Sequence, residues 1–368
     1  MNQDQHHPAQ PGGKYVLSFA FSATTRAYYR LWLVNMVLTI VTLGIYSAWA
    51  KVRTQKYLLG HTTLDGGRFD YHGKPVAILK GRLIMLLALA AWTFSESLPL
   101  LHAAIALLAI AAAPWLGVQA LRFRLANTSW NQMRFHFSGS SADSYKAFAK
   151  SWALLILSLG LAWPWATQIK QRFITGHSTL GQARLQLQPC AGALYRAALG
   201  TALAAICYLL GTGMIGGLIW QAATLSGFAH GIAVRFGEAA LTQLDIVFFG
   251  MTSALWVMAT LGYARMAISR VLINHTSLQL AAQEARLVWS LPTRRMLGLH
   301  FSNTLALLLS LGLAWPWIRI RTLRLQLQSL SLRSSSDLSA LPLRTPLNRL
   351  DDARGDELAD LMALDLGW

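Results

Sequence analysis

The sequence predicts an α-helical polytopic membrane protein built from internal repeats, and three observations carry that prediction. The 368 residues are 54% hydrophobic and 13% charged, about half the charged fraction of a soluble domain. Apolar stretches fall at 31–50, 79–94, 98–118, 152–165, 197–220, 240–262 and 304–317, several of them near the roughly 20 residues that a helix needs to cross hydrocarbon. Short basic loops separate these stretches in a recurring order. The expected fold has four full spans, three Gly/Pro-broken segments that are short or re-entrant, and small cytoplasmic β-hairpins.

Residues 1–14 are polar, with His6, His7, Pro8 and Pro11, and lack the apolar core of a signal peptide. They are expected to be a disordered N-terminus, with the first apolar segment kept in the mature protein. Tyr15 to Ser22 reads as a lone strand. Cys190 and Cys207 lie in or beside the fifth apolar stretch and read as small hydrophobes, which excludes a disulfide framework or thiolate metal site.

Three segments then share one frame without a gap: Asn35 to Trp49, Ser151 to Trp165 and Asn303 to Trp317. A small polar residue opens each, a Thr/Ser-Leu-Gly motif sits inside at Gly44, Gly160 and Gly312, and a Trp closes it. Phe21, Phe137 and Trp289 each precede the segment's glycine by 23 residues. Fourteen residues from 152 to 165 make a straight helix of only about 21 Å at 1.5 Å per residue, short of a core about 30 Å thick. A break at Gly160, with Pro164 beyond, suits a segment that enters and returns.

A second element recurs as a basic residue, four residues, His or Asn, two hydroxyl residues and Leu or Trp. Its copies begin at Lys56, Arg122, Arg172 and Arg270 and carry His61, Asn127, His177 and His275. Arg68, Arg134, Arg184 and Arg286 follow, the last after an insertion. Alternation on both sides of polar linkers such as Asp65-Gly-Gly67 predicts β-hairpins, and Arg324 to Leu332 reads as a decayed last one. The repeat copies cover about 15–133 and 134–285, with a half copy at 286–332, all within a membrane domain of 15–332.

Basic loops are retained in the cytoplasm, so the hairpins and both termini are expected there. The turns around Glu96 and around Arg235 and Glu238 then face the periplasm. Trp49, Trp163, Trp165, Trp315 and Trp317 would sit at headgroup level. The net charge of +17 is placed in loops beside apolar segments, which fits membrane orientation better than nucleic-acid binding.

The stretch Leu38-Thr-Ile-Val-Thr-Leu-Gly-Ile-Tyr46, continuing through Trp49-Ala-Lys51 to Lys56-Tyr57 and Gly67-Arg-Phe69, resembles the YjgN-like family of bacterial inner-membrane proteins. The resemblance covers about 15–332 and implies the location without implying a reaction. Family members more often place Pro before the Trp, where this chain has Ala48 but also Pro164 and Pro316.

Candidate chemistry is sparse. His61, His177 and His275 could converge on a metal, but Asn127 at the equivalent position is no comparable ligand. A role in shaping the start of each strand fits all four residues. The eight basic residues Lys56, Arg68, Arg122, Arg134, Arg172, Arg184, Arg270 and Arg286 are candidate contacts for anionic phospholipid headgroups, or else a solvated face that sets orientation. Asp245 lies near the start of its apolar stretch and reads as an interfacial carboxylate. Phosphate-loop, nucleophile-elbow and His-Glu-x-x-His motifs are missing from the sequence. No cofactor is expected.

The tail from 333 to 368 carries seven acidic residues against four Arg, net −3, whereas residues 1–332 carry 28 basic against 8 acidic, net +20. It reads as a flexible acidic cytoplasmic tail, with a helical pattern at Asp356 to Leu366. The expected function is that of a non-enzymatic structural or lipid-interacting protein in contact with the bilayer, protein partners being unspecified. A transporter or channel is the alternative, on the strength of the repeats and Gly-broken segments, and a metal- or headgroup-processing enzyme rests on the three His alone.

Overall fold

The computed structural model describes residues 15–334 except 229–230, 232–233, 236 and 281–282. The expected disordered N-terminus, and the expected acidic tail of 333–368 beyond Ser334 with its helical pattern at Asp356 to Leu366, lie outside the described residues. In chain order the elements are β1 (Tyr15–Phe21), α1 (Thr25–Val41), α2 (Ser47–Gly60), β2 (Thr62–Leu64), β3 (Gly67–Tyr71), α3 (Pro75–Phe94) and α4 (Pro99–Ala126). There follow β4 (Thr128–Trp130), β5 (Met133–Phe137), α5 (Ser141–Leu157), α6 (Trp163–Gly176), β6 (Ser178–Leu180), β7 (Ala183–Leu187) and α7 (Ala191–Leu225). The chain continues through α8 (Glu238–Asn274), β8 (Thr276–Leu280), β9 (Gln283–Trp289), α9 (Thr293–Leu309), α10 (Trp315–Gln328) and β10 (Leu330–Ser334).

The strands are short, yet they form one closed antiparallel barrel in the order β1-β10-β9-β8-β7-β6-β5-β4-β3-β2. An isolated two-stranded hairpin is marginal in water and leaves open edges; closure removes every edge. β1 seals the ring, pairing residues 15–18 with β10 and 19–21 with β2. Tight turns with positive φ at Asp65 and Gly66, and at Asn131 and Gln132, join β2 to β3 and β4 to β5, as two-residue hairpins require. Alternate residues point inward, where Leu64, Ala285 and Leu332 are buried with Leu17, Phe19, Phe69, Trp130, Leu278 and Leu287 packed against them. Phe69 lies between Phe19 and Trp130, with ring centroids 6.3 and 6.4 Å away. The interior is filled by side chains, as in other small barrels.

Each of the three Gly-containing segments is a pair of helices. α1–α2, α5–α6 and α9–α10 have matching lengths, 17 residues followed by 14. In each turn a leucine adopts φ near +50° (Leu43, Leu159 and Leu311) and the next glycine φ of +93°, +87° or +92°. The glycine N–H reaches back to the first helix, to the carbonyls of Thr39, Leu155 and Leu307 at 2.8, 2.7 and 2.9 Å. The hydroxyl before the leucine, of Thr42, Ser158 or Ser310, accepts the N–H of Tyr46, Ala162 or Ala314 at 2.9 Å and so starts the second helix. The small polar residue that opens each segment is buried and ties the two helices together. Asn35 donates to the Ala50 carbonyl, Ser151 to the Ala166 carbonyl and Asn303 to the Thr322 hydroxyl, at 3.3, 3.3 and 3.0 Å.

The expectation of four full spans, three broken segments and separate hairpins is corrected by this architecture. The hairpins are parts of one barrel, and among the described residues three helices are long and apolar enough to cross a membrane: α3, α4 and α7. The stretch 240–262 lies inside α8. The expected final hairpin is a single strand, because Arg324 to Gln328 continues α10 and only Leu330–Ser334 joins the ring.

The chain forms two compact units. One holds the residues up to Cys190 with Ile273–Trp289 and the chain from Leu323, and so contains the whole barrel; the other holds Ala191–Leu272 with Ser290–Thr322.

A Cβ at Gly160 would meet nothing within 4 Å, so Gly160→Ala tests the backbone alone. It should cost about 1–2 kcal/mol, the penalty of a left-handed conformation, and Ser158→Ala about 1 kcal/mol for the lost hydrogen bond from the Ala162 N–H. Thermal unfolding in detergent measures both, and an unchanged midpoint in either variant would contradict the roles assigned to the turn.

Candidate functional site

Alternation along the strands places Arg68, Arg134, Arg184 and Arg286 on the outer wall, each exposed. Each sits opposite the middle hydroxyl residue of the preceding strand: Thr63, Ser129, Thr179 and Ser277. Arg333, on β10, joins them opposite Arg286. Glu284 holds Arg286 through contacts of 3.2 and 3.1 Å. The guanidinium keeps the Glu284 carboxyl below the usual carboxylate range, and the carboxylate raises Arg286 in return. Among the described residues the guanidiniums of Arg68, Arg134 and Arg184 have no hydrogen-bond or ion-pair partner.

The helix-borne basic residues have other surroundings. Arg122 donates to the Gly139 carbonyl at 2.8 Å. Arg270 donates to the Leu291 carbonyl and the Thr293 hydroxyl at 3.1 and 3.3 Å. Arg324 donates to the Ala23 carbonyl at 2.8 Å. Each latch lands two residues beyond the aromatic that ends a strand: Phe137, Trp289 or Phe21. Lys56 and Arg172 are exposed on α2 and α6. Arg172 lies near Cys190, whose thiol is pushed up by burial and pulled down by that charge.

His61, Asn127 and His177 are helix C-caps. His61 Nδ1, Asn127 Nδ2 and His177 Nδ1 lie 2.7, 2.8 and 2.8 Å from the carbonyls of Tyr57, Phe123 and Phe173 one turn back. One N–H per side chain meets that need, so His and Asn are equivalent there. His275 directly follows α8. The backbone carbonyls of these four residues receive the N–H groups of Ser22, His72, Ser138 and Gln188 at 3.0, 2.8, 2.9 and 2.8 Å, which carries the strand pairing past each helix end. No group of three or more metal-ligating side chains occurs among the described residues. Asp245 lies in the first turns of α8.

Across β3, β4 and β5 the outer wall holds a groove of about 560 Å³. Arg68 and Arg134 line it with Asp70, His72 and Ser129, and the turn residues Gly66, Asn131 and Gln132 complete it. Ser129, 2% exposed, stands in register between Asp70 and Arg134. His72 Nε2 lies 2.8 Å from the Ser129 hydroxyl and Nδ1 lies 3.9 Å from Asp70 Oδ2. Hydroxyl, imidazole and carboxylate thus follow the order of a nucleophile, base and orienting acid. The 3.9 Å gap exceeds a hydrogen bond, however, and acyl transfer needs N–H donors aimed at a developing oxyanion. Here Tyr71 N–H is bound to Asp70, His72 N–H to Asn127 and Asn131 N–H to Arg68. The groove therefore offers two guanidiniums, an imidazole and a hydroxyl to an anion.

Asp70, His72 and Ser129 were not identifiable as site residues from the motifs alone. The available signal was the position of His72, where the equivalent sites hold Ser22, Ser138 and Gln188.

The model of a family of bacterial proteins of unknown function, DUF898, matches residues 16–361. The chain belongs to this family. Curated relatives include the inner membrane protein YjgN of Escherichia coli K12, 32% identical over 125 residues, and that of Salmonella typhimurium LT2, 31% identical over 128. Each match covers 33% of this chain and 31% or 32% of the relative, so the chain matches about a third of the length of these relatives. No solved structure matches the chain. The α1–α2 turn and the following basic helix, whose residues carry the sequence resemblance to the family, lead directly into the first hairpin of the barrel.

In this DUF898 member the latch arginines and the wall arginines should respond differently to substitution. Arg122→Met removes a charge-assisted hydrogen bond and should cost about 1.5 kcal/mol, whereas Arg184→Gln should stay within about 0.5 kcal/mol of the parent. Thermal unfolding checks the pair, and equal losses would mean that the wall arginine is also structural.

Proposed function

We propose that this protein is a multi-pass inner-membrane protein whose barrel and both termini lie on the cytoplasmic side, where the outer wall binds anionic phospholipid headgroups without catalysis. The observation that carries the reading is the set of unpaired guanidiniums on the barrel wall, in a chain that also holds three membrane-length apolar helices. Only 17%, 11% and 18% of the most apolar windows of α3, α4 and α7 are buried, which suits faces turned to lipid. The relatives named as inner membrane proteins point to the same compartment.

Orientation follows from charge. Basic residues sit on the barrel strands (Arg68, Arg134, Arg184 and Arg286) and near the helix ends that lead into them (Lys56, Arg122 and Arg172), and basic segments are retained in the cytoplasm. The turn leucines agree with a lipid setting. Leu43, Leu159 and Leu311 are 94%, 92% and 90% exposed despite a backbone conformation that favours glycine. Hydrocarbon accepts such side chains and water does not. A transport reading gains no support from the barrel, whose interior is filled.

Two measurements test this reading. Cysteines introduced at Gln132 and Gln182, in successive hairpin turns, should react with an impermeant maleimide in inverted membrane vesicles and not in spheroplasts; reaction from opposite faces would refute the placement. Replacing Arg68, Arg134, Arg184 and Arg286 together by Gln should lower retention of phosphatidylglycerol by detergent-purified protein, each near-surface charge contributing about 1 kcal/mol. High salt should weaken binding by the parent in the same direction, and undiminished retention in the variant would exclude the wall as the lipid contact.

A further inference from the structure

We infer that the groove over Ser129 is a site for a phosphate monoester group, an inference that rests on the headgroup reading and names the ligand class within it. The eight candidate basic residues are not equivalent. Arg122 and Arg270 are latched to carbonyls, and Arg286 is neutralised by Glu284. Arg68 and Arg134 are free, stand on neighbouring hairpins with β4 between them, and line one groove. The register sets Asp70, not Arg68, across Ser129 from Arg134; Arg68 stands two residues further along β3, so the two arginine Cα atoms are about 12 Å apart, within reach of two extended guanidinium forks on one ion. The Ser129 hydroxyl, bonded to His72, lies beside Arg134 at one edge of that span.

The class of anion follows from counting charges and oxygens. A phosphodiester presents one negative charge and two non-bridging oxygens. A phosphate monoester presents up to two charges and three such oxygens, enough to take a fork from each arginine and a further donor from the serine–histidine pair. Charge-assisted, two-pronged contacts of this kind are the strong ones. Asp70 accepts the Tyr71 N–H and lies 3.9 Å from His72; it pairs directly with neither arginine, but its carboxylate lies in the same groove and offsets part of their charge. The volume of about 560 Å³ falls within the ligand-site range and leaves room for the alcohol part of the ester.

Around the next hairpin the arrangement changes. Arg184 faces Thr179, and the position of His72 is taken by Ser138, whose hydroxyl donates to the His177 carbonyl at 3.3 Å. Arg184 is therefore the control for a merely basic wall.

The test uses the full chain in a non-ionic detergent, titrated calorimetrically with dihexanoyl phosphatidic acid, dihexanoyl phosphatidylglycerol and inorganic phosphate. Phosphatidic acid should bind about tenfold more tightly than phosphatidylglycerol. Arg68→Gln, Arg134→Gln and Ser129→Ala should each weaken or erase that preference, with Arg184→Gln leaving it within about twofold. Inorganic phosphate that displaces phosphatidic acid at equal concentration would make the natural source a soluble ester; displacement only at large excess would make it a lipid. Equal affinity for the two lipids, or equal loss in Arg184→Gln and Arg68→Gln, would overturn the inference and leave the headgroup reading standing. Failure of every anionic probe to bind would overturn both.

Discussion

The rest of the molecule depends on the closure of one backbone ladder. Strands of three to seven residues have too few hydrogen bonds and too little apolar surface to persist as separate hairpins, and their edges would invite pairing with other chains. Joined in a ring they leave no edge, and the side chains turned inward fill the interior. Every excursion that leaves the ring returns to it, whether through α3 and α4 between β3 and β4, or through α7 and α8 between β7 and β8.

That constraint explains the helix pairs. Where the excursion between two adjoining strands is short, as at α1–α2, α5–α6 and α9–α10, the chain has to reverse within five residues. Thr/Ser-Leu-Gly meets the requirement with three separate devices: a hydroxyl that accepts the N–H of the residue just before the outgoing helix, a residue near φ +50°, and a glycine near +90° whose N–H closes the incoming one. A buried Asn or Ser near the middle of the first helix then ties it to the second. These contacts across the pair exist only when the second helix is present, and for the two asparagines the partner helix supplies the amide N–H acceptors, so they favour the pairing as well as stabilising it.

Local structure was legible in the sequence because its causes are local. Alternation around Arg68, Arg134 and Arg184, and the turn at Asp65-Gly66, read directly as strands and hairpins. The shared frame of Gly44, Gly160 and Gly312 marked three breaks that do take the same conformation. Closure was not legible, since β1 pairs with β10 across some 300 residues (Leu17 with Leu332) and leaves no trace in the pattern of either. Arg324-Leu-Gln-Leu-Gln misled for a related reason: its alternation suits a strand, but α10 runs through it before β10 begins. At the candidate site the wall arginines were found by their periodicity. Which of them are free was hidden, because Arg122 and Arg286 are engaged by a carbonyl and a carboxylate whose nearness only the folded structure reveals.

A packed barrel directs its chemistry outward. With Leu64, Ala285, Leu332 and their neighbours filling the inside, polar and charged side chains have only the outer face, and period-two alternation stacks them there in rows. Arginine in such a row is costly to pair within the sheet, since cross-strand neighbours are set by register. Here they are the hydroxyls of Thr63, Ser129 and Thr179, and no acidic residue faces Arg68, Arg134 or Arg184. Register thus keeps positive charge unneutralised along the wall, and one chance of sequence, His72 in place of serine or glutamine, turns a stretch of it into a groove with a polar floor. Charges fixed in a row act together on any anion within the screening distance of about 8 Å at physiological salt, and only the groove adds directed donors that tell one anion from another.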